Sequence, residues 1–339
     1  MGRILILTDG KAGHENQSKA FARALGCEFD LVEVHFKSKF HKLLSYIFDR
    51  LRIRSLFLFL ATEGTQGGRK DLYPLCASEA LCGERKYCGV IGTGSGTFYA
   101  AKAMAKKLRV KCGVVLYPRG YDIASFDCVL APAFDRPKKV ANVIEIPANL
   151  VANDEAFYKK GVEAFLEKRG RQQAYDNKGE SVAVIVGGPN KCSTMTPEWM
   201  KAQLDSIFAQ RNRTIEQSEQ SSNLEFWVTT SRRTPPAVEA VVDSYPWDYK
   251  LLYSKDHFNP IPAFVKLAKK LYVTAESTGM LSESCTFGTA EVVALDNLKP
   301  GPHKFRRFVE DLRTGGYVDG NRKVDLSAQF ARAKTLMGL

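Results

Sequence analysis

The stretch RILILTDGKAGHENQSKAFARALG, residues 3–26, decides the fold class. Its apolar start, RILILT, predicts a β-strand, and NQSKAFARALG predicts a helix that ends at Gly26. The turn between them carries Asp9, Lys11 and His14 together with two glycines. A strand, a polar turn and a helix in this order form the repeating unit of parallel α/β sheets, which bind ligands at the carboxyl ends of their strands.

The same alternation continues along both halves of the chain. Apolar runs that predict further strands are FDLVEVHF, YCGVIGTG, KCGVVLY and FDCVLAP in the first half, and SVAVIVGG, LEFWVTT, YKLLYS, KKLYVTA and AEVVALD in the second. A helix is expected from Pro197 to about Arg211, followed by a polar loop over 212–223. The fold prediction is therefore α/β, with two Rossmann-like domains that each contain a doubly wound parallel sheet.

A charged stretch after VIEIPANLV marks the boundary between the two domains. We expect an N-terminal domain over 1–152, a helix and linker over 153–180, and a C-terminal domain over 181–322. A C-terminal helix over 323–339 is expected to pack back on the first domain.

Composition favours an anionic partner and a reducing compartment. The 339 residues carry a formal net charge of +12, which fits nucleic acid, a phosphorylated metabolite or an acidic membrane. No nucleic-acid-binding motif is present, so we predict no nucleic-acid partner. The eight cysteines form no C-x-x-C pair, the first apolar run is too short for a signal peptide, and no run approaches a membrane span. These features predict a cytoplasmic protein, soluble or peripheral on a membrane.

The segment FKSKFHKLLSYIFDRLRIRSLFLFL, residues 36–60, predicts an amphipathic helix. Its apolar side chains fall on one helical stripe with cations along the flanks: Phe36, Phe40, Leu43, Leu44, Ile47 and Leu51 on the stripe, and Lys39, Lys42, Arg50 and Arg54 beside it. One interpretation is a helix packed on the sheet, whose basic side chains reach out to water. The other is an interfacial helix that meets anionic lipid.

Several standard motifs are absent. GTGSG, residues 92–96, is followed by Thr97 where the dinucleotide fingerprint needs its last glycine, which argues against a classical NAD site. Gly94 and Gly96 still let backbone amides approach an anion or a sugar, although a tight turn would explain them equally well. There is no P-loop, no H-E-x-x-H and no G-x-S-x-G motif, and the histidines lack metal-ligand spacing. We predict neither a metal nor a cofactor.

Two polar loops in the second half, VAVIVGGPNKCS and TTSRRTPP, suit a diphosphate because both follow strands. The first combines bare backbone amides with a mobile lysine, and the second combines hydroxyl groups with an arginine pair. An arginine pair of this kind is either a phosphate clamp or a solvated surface. The residues predicted to contact the diphosphate are Gly187, Gly188, Lys191, Ser231, Arg232 and Arg233.

VTAESTGMLSESCTFG, residues 273–288, is the most informative stretch of the second half. Its turn Ser277, Thr278, Gly279 stands at a strand end, where amides and hydroxyls can hold phosphate. Ser282 and Glu283 follow early in the next helix, and a carboxylate there can accept both hydroxyls of a ribose. The alternative for Glu283 is a capping or first-turn acid that is stabilised by the helix dipole.

The chain resembles a known family through five motifs that occur in the same order. TDGKAGHENQS, VGGPNK, TSRRTPP, VTAESTGMLSES and HKFRRFVEDLRTGGYV are similar to motifs of the mitochondrial fission Elm-type family, across nearly the whole chain. Bacterial members of this family are described as glycosyltransferases. The resemblance implies the GT-B fold, in which two Rossmann-like domains face each other across a cleft, and a reaction that needs no metal.

A more distant similarity is to the N-acetylglucosaminyltransferase that makes lipid II. That family has a glycine-rich loop that ends in histidine, as DGKAGH does here, and a Ser-Gly-x-x-x-x-Glu turn that resembles STGMLSE. The similarity implies that Glu283 holds the donor ribose and that Ser277, Thr278 and Gly279 lie near the diphosphate. Because the loop here begins Asp-Gly-Lys and STG is offset by one residue, the donor class carries over better than the donor identity.

The resemblance also implies roles for the first loop. His14 becomes the expected catalytic base and Asp9 its orienting group or an alternative base. Gly13, Gly94, Ser95 and Gly96 are expected on the acceptor side. The competing interpretation is that His14 caps the following helix or orders the loop.

The leading prediction is a metal-independent GT-B glycosyltransferase. It would transfer a sugar from a nucleotide-sugar donor to a lipid-linked or glycan acceptor at an anionic membrane surface, the inner face of the cytoplasmic membrane, in the synthesis of a cell-envelope glycan or lipopolysaccharide. One alternative is a nucleotide-sugar epimerase on the same fold. Another is a non-catalytic, membrane-associated interaction protein of the fission-factor type.

Overall fold

The computed structural model describes residues 2–62, 73–75, 87–170, 181–217 and 224–339. The chain divides into two compact units, one formed by Met1–Ala152 with Asp325–Leu339 and the other by Asn153–Val324. Each unit has its own sheet, with helices connecting the strands. The predicted pair of Rossmann-like α/β units is thus confirmed.

In the first unit the elements are, in chain order, β1 (Arg3–Thr8), α1 (Ala12–Ala24), β2 (Glu28–Phe36), α2 (Lys39–Arg50), β3 (Phe59–Thr62), β4 (Tyr73–Pro74), β5 (Gly89–Thr93), α3 (Phe98–Leu108), β6 (Lys111–Val115), β7 (Cys128–Pro132) and β8 (Val143–Ile146). The second unit contains α4 (Glu155–Lys168), β9 (Ser181–Val186), α5 (Pro197–Gln217), β10 (Glu225–Thr230), α6 (Pro236–Asp243), β11 (Tyr249–Leu251), α7 (Ile261–Leu267), β12 (Lys270–Thr274), α8 (Thr278–Thr286), β13 (Glu291–Leu295) and α9 (Lys304–Thr314).

The helix of the expected linker region belongs to the second unit, and the last helix of the chain belongs to the first. Helix α4 packs on α7 inside the second unit, and residues 171–180 of the expected linker lie outside the described residues. The last helix, α10 (Ser327–Met337), belongs to the first unit and packs on β6, β7 and β8.

The first sheet has the strand order β4-β3-β2-β1-β5-β6-β7-β8. This sheet is parallel except at one edge, where β3 runs antiparallel to both β2 and β4. Phe59, the first residue of β3, pairs with Phe36, the last residue of β2. Segment 37–58 therefore returns the chain to the end of the sheet that it left, whereas a parallel strand needs a crossover to the opposite end.

The second sheet is parallel throughout, in the order β11-β10-β9-β12-β13. Helix α5 continues to Gln217, so the polar stretch that was predicted to be a loop is helical over 212–217. This part of the sequence contains no proline or glycine that would end a helix. Residues 218–223 lie outside the described part of the chain.

The strand order fixes where ligand loops meet. In the first sheet the chain moves outward from β1 to β2 and then returns to β5 on the other side of β1. In the second sheet it moves from β9 to β10 and then returns to β12 on the other side of β9. Loops diverge at these topological switch points and leave a crevice at the carboxyl ends of the strands.

The predicted amphipathic helix over 36–60 is only half as long in the structure. Phe36 belongs to β2 and packs on Phe59, with ring centroids 4.4 Å apart. Helix α2 ends at Arg50, and Arg52 takes a left-handed φ of 55° that a helix cannot continue. Phe36 and Leu44 pack against the core, whereas the other stripe residues are exposed: Phe40, Leu43, Ile47 and Leu51.

Candidate functional site

The loop after β1 is shorter than predicted because α1 begins at Ala12, four residues before the expected Asn16. Gly13 and His14 therefore lie in the first turn of the helix. Lys11 is the N-cap and makes no side-chain capping bond, while Glu15 supplies an acid that favours the positive end of the helix dipole. The sequence alone places the switch-point loop correctly but overestimates its length.

Asp9 and His14 form a hydrogen-bonded pair at the first switch point. The His14 Nδ1 atom lies 2.9 Å from Asp9 Oδ1, and Lys11 Nζ lies 2.6 Å from Asp9 Oδ2. Burial raises the pKa of Asp9, but the hydrogen bonds and charges of Lys11 and His14 outweigh it and hold the pKa below its usual range. An ionised Asp9 accepts from Nδ1–H and leaves Nε2 as the basic nitrogen, which is how a general-base histidine is held.

The loop after β5 packs directly on this pair. A Cβ atom added at Gly94 would collide with the His14 ring, and one added at Gly96 would lie 2.8 Å from Asp9 Cβ. Gly94 also has a φ of +85°, a conformation that favours glycine. The structure thus brings the predicted base, its carboxylate partner and the predicted acceptor loop together.

Two further residues of the predicted acceptor side are accounted for. Ser95 accepts a 3.0 Å hydrogen bond from Lys42 Nζ of α2, a contact that the sequence did not reveal. Gly13 is exposed and has open space around it. The capping interpretation of His14 is not supported, because its ring bonds to Asp9 rather than to an amide at the start of α1.

In the second unit, the loop after β9 uses its amides within the protein. Gly187 N–H donates to Thr274 Oγ1 at 2.8 Å, and Gly188 N–H donates to Glu276 Oε1 at 2.7 Å. A Cβ atom at Gly188 would collide with the backbone of Arg233. These two amides therefore join the loop after β9 to the end of β12, and the expectation that they bind a diphosphate is not supported by the geometry.

Glu276 is a structural position that the sequence did not reveal. Its side chain is buried and accepts hydrogen bonds from Gly188 N–H, from Thr274 Oγ1 at 3.1 Å and from Asn297 Nδ2 at 2.7 Å. Burial raises the pKa of Glu276, and these hydrogen bonds oppose the rise. The one feature of the sequence that could have pointed to Glu276 is its position just beyond the end of β12, beside the switch point.

The loop after β10 is hydrogen-bonded to the loop after β9, and cationic side chains of both loops point to solvent. Thr234 Oγ1 donates to Gly187 O at 2.6 Å and accepts from Ser231 N at 2.9 Å. The side chains of three predicted phosphate ligands are exposed and make no hydrogen bond or ion pair with another described residue: Lys191, Arg232 and Arg233. A cation without an internal partner remains available to an anionic ligand.

The start of α8 offers backbone donors next to Glu276. Ser277 precedes the helix without a side-chain capping bond, and the first amide bonded back to it is that of Leu281, at 3.0 Å. The amides of Thr278 and Gly279 therefore fall in the first turn, where a helix leaves its donors unpaired. Gly279 is exposed with open space around it. This turn therefore suits a phosphate better than the amides of Gly187 and Gly188, which bond within the protein.

Ser282 and Glu283, the last two residues predicted to contact the sugar donor, form hydrogen bonds within the protein. Ser282 is fully buried and donates to Thr278 O at 2.7 Å, which removes its hydroxyl from a ligand. Glu283 Oε1 accepts from Tyr158 Oη at 2.8 Å and from Asn153 Nδ2 at 3.2 Å. Burial raises the pKa of Glu283, and these two donors oppose the rise.

Glu283 is the sixth residue of α8, so the first-turn interpretation is wrong. Its Oε2 atom makes no hydrogen bond within the described residues. Tyr158 and Asn153 precede Glu283 by 125 and 130 residues, a separation at which sequence reasoning gives no signal.

Metal ligands and membrane spans are absent from the described part of the chain. No group of three or more His, Cys, Asp or Glu side chains there is arranged to hold a metal ion. No helix among the described residues is long and apolar enough to cross a membrane.

Both units thus have the topology of wound α/β sheets, with glycine-bearing loops at their switch points. The family follows from the sequence match. The chain belongs to the mitochondrial fission ELM1 family, whose model matches residues 12–331. This match confirms the resemblance that the ordered motifs indicated.

Distant likeness to solved structures covers the whole chain. The UDP-GlcNAc 2-epimerase of Neisseria meningitidis bound to UDP-GlcNAc is 10% identical, with 99% of this chain and 98% of that chain covered and a TM-score of 0.49. MurG of Acinetobacter baumannii is 14% identical, with 99% and 91% covered and a TM-score of 0.46. The family 9 glycosyl transferase of Veillonella parvula is 12% identical, with 99% and 97% covered and a TM-score of 0.45. No curated protein matches the chain.

Proposed function

We propose that this chain is a metal-independent glycosyltransferase of the GT-B type. It would transfer a sugar from a nucleotide diphosphate donor to an acceptor at the inner face of the cytoplasmic membrane. The observation that carries the proposal is the Asp9–His14 pair held beneath the Gly94–Gly96 loop at a topological switch point. An imidazole that is hydrogen-bonded to a carboxylate and packed against glycine backbone can remove the proton of a bound hydroxyl group.

The proposed chemistry assigns one half of the reaction to each unit. His14 Nε2 takes the proton of the acceptor hydroxyl as its oxygen forms a bond to the anomeric carbon. The bond between that carbon and the diphosphate oxygen breaks, and the electron pair leaves with the nucleoside diphosphate. Asp9 holds the imidazole and stabilises its protonated form.

The leaving diphosphate needs neutralisation, and the second unit supplies donors and cations for it. The first-turn amides of α8 and the unpaired side chains of Lys191, Arg232 and Arg233 fit this role. Glu283 Oε2 would accept a hydrogen bond from the donor ribose.

A thermal-shift screen of nucleoside diphosphates and nucleotide sugars tests the donor site. A ligand at a hundred times its dissociation constant stabilises the folded state by about 2.7 kcal/mol. The double variant Arg232→Gln, Arg233→Gln should lose this stabilisation. Lys159→Gln with Lys160→Gln, which changes two exposed cations of α4, is the matched control and should keep it.

The outcomes separate the competing functions. Stabilisation by no nucleotide would overturn the proposal and favour a non-catalytic interaction protein. Conversion of a nucleotide sugar to an isomer without acceptor would instead identify an epimerase. Release of nucleoside diphosphate only when an acceptor is present is the result that we expect.

A further inference from the structure

Helix α2 turns its apolar stripe away from the protein. The exposed fractions of Phe40, Leu43, Ile47 and Leu51 are 63%, 59%, 47% and 64%. Ile53 and Phe57, which follow the helix, are 43% and 68% exposed. We call these six side chains the α2 face. The other large exposed hydrophobic side chains in the described ranges stand apart from it in the sequence: Val140, Phe157 and Leu339.

The two fully buried residues of α2, Ser45 and Asp49, are polar, and Leu44, Tyr46 and Phe48 pack partly buried against the core beside them. Asp49 is buried and accepts from Lys102 Nζ at 2.8 Å, while Arg54 Nη1 lies 3.2 Å from the same oxygen. Ser45 lies 2.9 Å from Tyr121 Oη, also in the interior. Breaking a buried ion pair costs several kcal/mol, roughly 3–5, so this cluster fixes the rotation of the helix with its apolar stripe outward.

The charges around the α2 face have one sign. Five basic side chains between residues 37 and 54 lie outside the buried pair: Lys37, Lys39, Lys42, Arg50 and Arg52; the sixth, Arg54, pairs with Asp49. Asp49 is the only acid in the same stretch, and it is buried under the helix. Lys37 Nζ lies 3.5 Å from the centre of the Phe57 ring, so cations and apolar groups share one surface.

We infer that the α2 face docks on an anionic lipid bilayer and that the acceptor of the proposed reaction is itself a lipid. Apolar side chains would enter the acyl boundary while the basic side chains contact anionic headgroups. Charge selects this occupant, because neither a neutral apolar partner nor a second copy of this basic face would complement the cations. The assignment of the acceptor rests on the proposed function, but the docking itself does not.

A direct contact joins the docking face to the candidate acceptor loop. Lys42 of α2 donates to Ser95 Oγ at 3.0 Å, and the glycines on either side of Ser95 pack on His14 and Asp9. Docking through α2 therefore brings this loop to the lipid surface. A hydroxyl group carried by a membrane lipid would reach the loop from that surface, whereas a soluble glycan would gain nothing from it.

Vesicle sedimentation tests the docking. The full chain should bind vesicles that contain phosphatidylglycerol, and binding should weaken between about 0.01 M and 0.15 M salt as the Debye length falls from about 30 Å to about 8 Å. Leu43→Ser with Ile47→Ser should reduce binding at least about tenfold. Arg50→Gln should reduce it about fivefold, since one basic residue contributes about 1 kcal/mol at an anionic surface.

Matched variants on α4 control for nonspecific effects. Phe157 is 41% exposed and Lys160 is exposed, so Phe157→Ser and Lys160→Gln remove the same kinds of group elsewhere. Both should bind vesicles like the wild type. Phe40→Trp should be quenched by spin-labelled lipid, and Phe157→Trp should not.

Three results would overturn the inference. The wild type would fail to bind anionic vesicles at low salt, the α4 variants would lose as much binding as the α2 variants, or the chain would form a dimer that Leu43→Ser dissociates without any lipid binding. Nucleotide stabilisation measured without vesicles stays the separate test of the proposed function. Lipid-free acceptors that support full turnover would remove only the lipid-acceptor assignment.

Discussion

The two switch points carry carboxylates in similar places but in opposite environments. Asp9 follows β1, lies beside Lys11 and His14, and has a lowered pKa. Glu276 follows β12, is buried among neutral donors, and has a raised pKa. Each is close to a glycine of the neighbouring loop, Gly96 in the first unit and Gly187 in the second.

The two environments suit different roles, one in the proposed reaction and one in holding the loops together. A carboxylate that lies beside a cation and stays ionised can orient a base and stabilise its protonated form. A buried carboxylate that accepts three hydrogen bonds instead holds loops together, and the amides bound to it are no longer available to a ligand. The second unit therefore relies on the α8 first turn and on exposed cations, while the first presents the reactive pair.

The largest expected effect concerns the reactive pair. His14→Gln should leave donor binding intact and reduce turnover by roughly 10²–10⁴-fold, because an amide cannot take the proton of the acceptor hydroxyl. Turnover is measured as nucleoside diphosphate release with a competent acceptor. If His14→Gln keeps near wild-type turnover while Asp9→Asn loses it, Asp9 is the base and His14 only orders the loop.

The comparison also marks what the sequence could predict. Strand periodicity and the strand-end glycines located the loops that lie at both switch points, because these signals are local. The direction of the α2 stripe was not predictable, since periodicity shows which residues share a face but not which face is inside. Here Asp49 and Lys102, 53 residues apart, decide it. Glu276 and the partners of Glu283 were not predictable either, because their roles depend on contacts between segments that are distant in the sequence.

The next effect tests whether the second unit still offers a carboxylate to the donor. Glu283→Ala should weaken nucleoside diphosphate binding by about 1.5–3 kcal/mol through loss of a charge-assisted hydrogen bond. Calorimetry on the folded variant measures the affinity. Tyr158→Phe is the control, because it removes a donor from Oε1 and leaves Oε2 in place. Equal losses in both variants would show that Glu283 acts only by holding the fold.

A pH series sharpens the contrast between buried carboxylates. The folded pKa of Glu276 lies above its unfolded value, so the native state keeps the proton longer, and the free energy of unfolding should fall as pH rises above about 4.5. The decline continues until the pH passes the folded pKa, at about 1.4 kcal/mol per pH unit, and Glu276→Gln should lack it. Denaturant unfolding from about pH 4 to pH 7 measures the difference.

Glu239 provides a control of opposite sign. Burial raises the pKa of Glu239, but hydrogen bonds from Ser254 and Thr230 outweigh it and lower the pKa. Its contribution to stability is present above the unfolded pKa and is lost as pH falls, so Glu239→Gln should be most destabilised near neutral pH. Parallel pH profiles for the two variants would contradict the assigned environments.

The smallest effect concerns the two open glycines, Gly13 in α1 and Gly279 in α8. Neither has any atom within 4 Å of an added Cβ, and both lie in helices, so Gly→Ala at either site should raise the free energy of unfolding by about 0.5–1 kcal/mol. Gly96→Ala, whose Cβ would meet Asp9, should instead destabilise the first unit. The midpoint of denaturant unfolding reports all three changes.

If a diphosphate packs on the first turn of α8, Gly279→Ala also weakens nucleotide binding although the protein is more stable, whereas Gly13→Ala leaves that affinity unchanged. A stabilised Gly279→Ala variant with wild-type nucleotide affinity would move the diphosphate away from α8 and towards Lys191, Arg232 and Arg233 alone.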